Sequence, residues 1–182
     1  MRYVAFLRGM NLGGRRIKNE ELRRHFEEMG LKQVATFRAS GNVIFADPSG
    51  AKEEDLAARV EADLDARLGY DVPVFLRSMK EVAAIAAHQP FDPKAVERSR
   101  GKLQVSLLKA TPSAAQRRKV LALATDSDLL DLRGRELYWL PSGGLLESGL
   151  DLKAIERELG SDTRRTMGTI EQIAAKHGEA KP

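Results

Sequence analysis

Apolar residues recur along this chain with two different periods, and the switches between them mark its elements. Residues 2–7, Arg-Tyr-Val-Ala-Phe-Leu, form a short apolar run that reads as a buried strand and stops at the glycine-rich segment Gly9-Met-Asn-Leu-Gly-Gly14. From 18 to 29 the period lengthens: Leu22, Phe26 and Met29 fall four and three apart, which predicts a helix with Asn19 at its N-cap and Gly30 at C′. Two strands follow, 33–39 and 43–46, joined by a tight hairpin turn at Ser40-Gly41-Asn42, where Gly and Asn tolerate positive φ. After Asp47-Pro-Ser-Gly50, the four-residue steps of Leu56, Val60, Leu64 and Leu68 predict a helix over 53–68. Gly69 stops it, and a strand at 72–77 follows.

This order, β-α-β-β-α-β, is that of a ferredoxin-like unit, in which helices cover one face of an antiparallel sheet. The second half repeats the order without repeating the sequence. A helix at 80–87 and the Pro90-Phe-Asp-Pro93 segment connect to a strand at 102–109 and a helix at 113–125. A hairpin of 129–132 with 136–140 turns at Arg133-Gly-Arg135 and leads to a helix at 152–159. Residues 161–165 are short and polar, either an edge strand or a loop, and a helix at 167–176 closes the chain. The expected fold class is therefore α+β: two ferredoxin-like subdomains with antiparallel sheets and a C-terminal helix. Their expected spans are 1–78 and 102–182, with a helical connector at 79–101.

Composition narrows the function classes. With 42% hydrophobic and 31% charged residues the chain has enough apolar material for a core in each half. The absence of cysteine excludes disulfides, thiolate metal sites and a cysteine nucleophile. The opening segment holds too few apolar residues between Arg2 and Arg8 for a secretory leader or a membrane span, so a cytoplasmic location without membrane partners is expected. The net charge of +4 is modest, and its distribution is more informative. Arg8, Arg15, Arg16 and Lys18 form one acid-free stretch; Lys109, Arg117, Arg118 and Lys119 form another.

The loop from Gly9 to Gly14 lies between a strand and a helix, with its two outer glycines spaced as in phosphate-cradling loops. Arg15 and Arg16 stand where such a loop in a nucleotide triphosphatase has Lys and Ser or Thr, which excludes that activity. What remains is a simpler anion site, in which the amides of Gly9, Asn11, Gly13 and Gly14 act with Arg8, Arg15, Arg16 and Lys18. The bland alternative is a tight turn with solvated arginines. Ser40 and Asn42 belong to the same sheet and could join the site, although a hairpin needs Gly and Asn there anyway. His25, His88 and His177 have no ligand-spaced partners, and solvated or helix-capping roles are expected for them. No metal or cofactor motif is found. For nucleic acid the aromatic supply is thin; alternation separates Tyr138 from Trp139, and Trp139 is expected to be the exposed one.

Phe6-Leu-Arg-Gly-Met-Asn-Leu-Gly-Gly14, followed by Ser40-Gly-Asn-Val43, resembles a bacterial family called domain of unknown function 1697. The resemblance covers essentially the whole chain. The family's opening reads Leu-Arg-Gly-Ile-Asn-Val-Gly-Gly, and Pro141-Ser-Gly-Gly144 is similar to a later glycine-rich loop. In the closing segment 164–169 this chain keeps Arg165 and Thr169 of the family's Thr-Arg-Asn-Trp-Asn-Thr but lacks its Asn and Trp. The resemblance implies two ferredoxin-like subdomains and no established activity; it adds Arg165 to the ligand-binding candidates.

Three function classes follow. The first is a binding module for nucleic acid or another phosphate-bearing ligand, acting through the basic glycine-rich loop. The second is an enzyme on a phosphorylated small molecule, for which no acid–base pair is identifiable. The third is a protein-interaction or assembly module using a sheet edge.

Overall fold

A computed structural model of the chain describes residues 1–38 and 41–178. These contain eight strands and seven α-helices, with the strands in two four-stranded antiparallel sheets. The chain divides into two compact units, Met1–Ala83 with the residues from Ile173 onward, and Ala84–Gln172.

The first unit holds β1 (Arg2–Leu7), α1 (Asn19–Glu28), β2 (Lys32–Thr36), β3 (Asn42–Ala46), α2 (Glu53–Leu68) and β4 (Val74–Ser78), with strand order β2-β3-β1-β4. Central β1 sets Ala5 opposite Val43 on one side and Leu76 on the other. Alternation then puts Tyr3, Ala5 and Leu7 on one face with Phe45 and Val74, where they meet Leu22 and Phe26 of α1 and Leu56, Val60 and Leu64 of α2 in one core. Each fully buried Val, Leu or Phe among them stabilises the fold by roughly 1.5–3 kcal/mol. Gly69 ends α2 in the left-handed region, φ 73°, and its N–H donates to the Asp65 carbonyl at 2.8 Å.

α3 (Met79–Ala87) leads to α4 (Pro93–Arg98), β5 (Gln104–Leu108), α5 (Ala114–Leu121), β6 (Asp128–Arg133), β7 (Glu136–Pro141), α6 (Leu152–Leu159), β8 (Asp162–Thr166) and α7 (Met167–His177). A single 3-10 turn spans Leu145–Glu147. The sheet order is β6-β7-β5-β8, the same arrangement with β5 in the place of β1. Val120 of α5 and Ile155 of α6 pack on Leu132, Leu137 and Trp139.

Several expectations change in detail. Lys18, not Asn19, is the N-cap of α1, and the Asn19 side chain donates instead to the Arg38 carbonyl at 3.3 Å. The Pro90–Pro93 connector opens a helix, α4, because the Asp92 carboxylate caps the amides of Lys94 and Ala95 and Pro93 fits the first turn. Residues 162–166 form a strand despite their polarity, since all five pair with central β5. Of the expected hairpin, Ala39 and Ser40 lie outside the described residues.

Candidate phosphate-binding loop

β1 ends at a junction that fixes where the glycine-rich loop begins. The Leu7 N–H donates to the Gly41 carbonyl at 2.8 Å and the Arg8 N–H to the Pro73 carbonyl at 3.0 Å. The loop therefore leaves the sheet between the β2–β3 connection and the residues before β4. Gly41 has φ 71°, and a Cβ there would stand 3.0 Å from both Leu7 Cβ and Met10 Cγ. Glycine at 41 thus serves the loop as much as the hairpin.

Met10 is buried and Ile17 packs partly against the core, so the exposed residues 11–16 are pinned at both ends. Between the pins the chain takes left-handed turns at Asn11 (φ 64°), Gly13 (57°) and Gly14 (81°), closed by the Arg15 N–H donating to the Leu12 carbonyl at 3.0 Å. The amides of Gly13, Gly14 and Arg16 donate to no protein acceptor among the described residues. Arg16 and Lys18 are exposed and form no ion pair among those residues. The Arg15 guanidinium lies 4.3 Å from the centre of the Tyr70 ring, a stacking that holds the cation without neutralising it. Glu20 and Glu21 fill the first turn of α1, and Glu21 lies 3.8 Å from His25.

Sequence reasoning passed over two parts of this surface. Arg38 is tied to Asn19 through its carbonyl, and its guanidinium stands 5.6 Å from the Phe37 ring centre. Tyr70, just past the helix-stopping Gly69, supplies the aromatic face for Arg15. The dipeptide Phe37-Arg38 beside a turn was the available signal; the Tyr70–Arg15 contact, 55 residues apart in sequence, had none.

The proposed site residues separate into groups. Gly9, Asn11, Gly13, Gly14, Arg15, Arg16 and Lys18 form one continuous surface loop, with Arg8 half-buried at its base. Asn42 is 1% exposed, and its Nδ2 donates to the Phe37 carbonyl at 3.0 Å, bracing the hairpin. Ser40 lies outside the described residues. Arg165 is on β8 in the second unit and donates to Thr163 Oγ1 at 2.9 Å and the Arg164 carbonyl at 2.8 Å. Burial pulls its guanidinium pKa down to about 10.

In the second basic stretch two of the four cations have acidic partners: Arg117 faces Asp131 at 3.8 Å and Lys119 faces Glu158 at 3.3 Å. Trp139, expected to be exposed, is 3% exposed, and its indole N–H donates to Asp128 at 2.8 Å. His88 is neither solvated nor a cap. Its Nε2 meets Asp131 at 3.0 Å, its Nδ1 meets the Arg133 guanidinium at 3.0 Å, and its ring packs edge-on against Tyr138. With Arg133 donating to Nδ1, Nε2 carries the proton and donates to the carboxylate. Among the described residues no three metal-ligating side chains cluster, and no helix is long and apolar enough to cross a membrane.

Two four-stranded antiparallel sheets with helices packed on them define a mixed α+β protein. The chain belongs to the family described as Protein of unknown function (DUF1697), whose profile matches residues 1–138. The match includes the glycine-rich loop and the hairpin; the closing segment with Arg165 lies beyond it. The fold is shared with a solved structure, that of the conserved bacterial protein SP0830 from Streptococcus pneumoniae, at 18% identity and a TM-score of 0.76 over 96% of each chain. None of the curated proteins matches the chain.

Proposed function

We propose that this protein binds a phosphate-bearing polyanion, with single-stranded or duplex nucleic acid the foremost ligand, through residues 9–18 and the adjacent Arg38. The observation that carries this reading is that, among the described residues, Arg15, Arg16 and Lys18 form no ion pair and stand beside amides of Gly13, Gly14 and Arg16 that have no protein acceptor. Backbone N–H groups and guanidinium forks both suit phosphate oxygens, and the aromatic rings of Tyr70 and Phe37 beneath two arginines suit bases stacked nearby. We also read each unit as a ferredoxin-like fold, because both follow β-α-β-β-α-β and share one strand order.

The test is fluorescence anisotropy with labelled single-stranded RNA and duplex DNA at two salt concentrations, for the native chain and Arg15→Ala/Arg16→Ala. Binding should weaken as salt rises. For RNA, the variant should reduce the log–log salt slope by about 1.4, two phosphate contacts at roughly 0.7 each. An absence of binding at low salt, or a slope unchanged by the variant, removes the proposal.

A further inference from the structure

We propose that the second unit carries a separate site for a neutral monosaccharide, in the cavity between the start of β6 and the loop following β7. The cavity has a volume of about 350 Å³, and its lining includes Thr125, Ser127, Asp128, Ser142, Gly143 and Ser148. That is within the range of small-molecule pockets, roughly 300–1,000 Å³. Asp128 is among the lining residues and is 2% exposed.

The hydrogen bonding of Asp128 is incomplete in a specific way. Its Oδ1 accepts from the Trp139 indole at 2.8 Å and from the Ser148 hydroxyl at 2.7 Å, while Oδ2 accepts only from the Thr125 hydroxyl at 3.2 Å. No cation pairs with it among the described residues. A buried carboxylate held by neutral donors alone keeps acceptor capacity on Oδ2. Around it stand donors without protein partners among the described residues: the hydroxyls of Ser127 and Ser142 and the amides of Gly143 and Gly149.

The loop that presents these groups is braced. The Ser142 N–H donates to the Ser127 carbonyl at 2.7 Å, and the Ser99 hydroxyl donates to the Pro141 carbonyl. Glu147 accepts from the Gly144 N–H at 3.3 Å and from Arg100 at 2.7 Å. Gly101 packs so closely beneath the loop that a Cβ there would lie 2.7 Å from the Gly143 carbonyl oxygen. The site is thus set before any ligand arrives, which spares the ordering cost of binding.

Acceptor and donor groups side by side match vicinal hydroxyls, each of which donates one hydrogen bond and accepts others. Phosphate is disfavoured by the carboxylate of Asp128, which pairs with no cation among the described residues. An alkylamine would satisfy Asp128 but leave the serine hydroxyls and glycine amides unmatched. This site is independent of the basic loop, and either proposal stands if the other falls.

The test is saturation-transfer NMR on the full chain with glucose, galactose and ribose, and with ethylenediamine and inorganic phosphate as counter-probes. At least one sugar should receive saturation on its ring protons. Ser127→Ala/Ser142→Ala should raise its dissociation constant by about tenfold, the loss of two neutral hydrogen bonds. That variant should melt with the native chain, because neither hydroxyl bonds to the protein among the described residues. Asp128→Asn should also weaken the sugar. Transfer to none of the sugars, transfer to ethylenediamine or phosphate in their place, or sugar binding indifferent to the serine variant overturns the proposal.

Discussion

Asp47, 3% exposed at the end of β3, keeps its negative charge by hydrogen bonding. It accepts from the Ser49 hydroxyl at 2.8 Å and amide at 3.2 Å and from the Ala51 amide at 3.3 Å, with Arg59 3.7 Å away. Burial alone would raise its pKa; the Ser49 hydroxyl and amide, the Ala51 amide and Arg59 outweigh it and hold the carboxyl below its ordinary value. A depressed carboxyl pKa gives stability that is present above the unfolded value, about 4, and lost as pH falls through the folded one. Asp47→Asn should therefore lose about 1–3 kcal/mol at pH 7, with the gap to the native chain closing towards pH 3, as read by urea denaturation at both pH values. A gap constant over that range would mean the charge has no part in holding the turn. Asp47 was legible in sequence only as a turn residue, and the other misreadings at this scale share one cause. Whether His88 meets Asp131, or Trp139 turns its N–H to Asp128, is decided by sheet packing between residues far apart in sequence.

Elements were more legible because their signals are local. The four-residue apolar steps of α2 and its stop at Gly69 place that helix at its observed bounds, and α6 also spans the expected residues. β8 was ambiguous since five polar residues acquire strand geometry only from β5 beside them. α5 tests the local signals directly. The Ser113 hydroxyl accepts from the Gln116 amide at 3.2 Å and the Gln116 side chain accepts from the Ser113 amide at 2.9 Å, a complete capping box. Ser113→Ala should cost about 1 kcal/mol in chemical denaturation. Gly41→Ala should cost more, about 2 kcal/mol or above, because it combines strain at positive φ with crowding against Leu7 and Met10. Crowding there bears on the loop itself, so this variant should also weaken polyanion binding, whereas Ser113→Ala should leave it unchanged. Equal binding by both variants would uncouple the hairpin from the loop.

For the whole molecule, 30 basic against 26 acidic residues leave a net charge of +4, and this excess alone could draw in polyanions without any site. Composition could not separate that diffuse attraction from a built surface, because the two basic stretches look alike in sequence. Their surroundings differ: Arg117 and Lys119 have acidic partners, and Arg16 and Lys18 have none among the described residues. Reversing two charges in either stretch takes the net charge from +4 to zero, so Arg16→Glu/Lys18→Glu and Arg117→Glu/Lys119→Glu are matched in bulk charge. A local surface predicts that the first pair abolishes nucleic-acid binding at low salt, while the second stays within about threefold of the native chain. Melting curves should show the opposite ranking, since among the described residues only the second pair breaks native ion pairs and puts acids against Asp131 and Glu158. Equal losses of binding would assign the attraction to net charge and leave the glycine-rich loop as a turn.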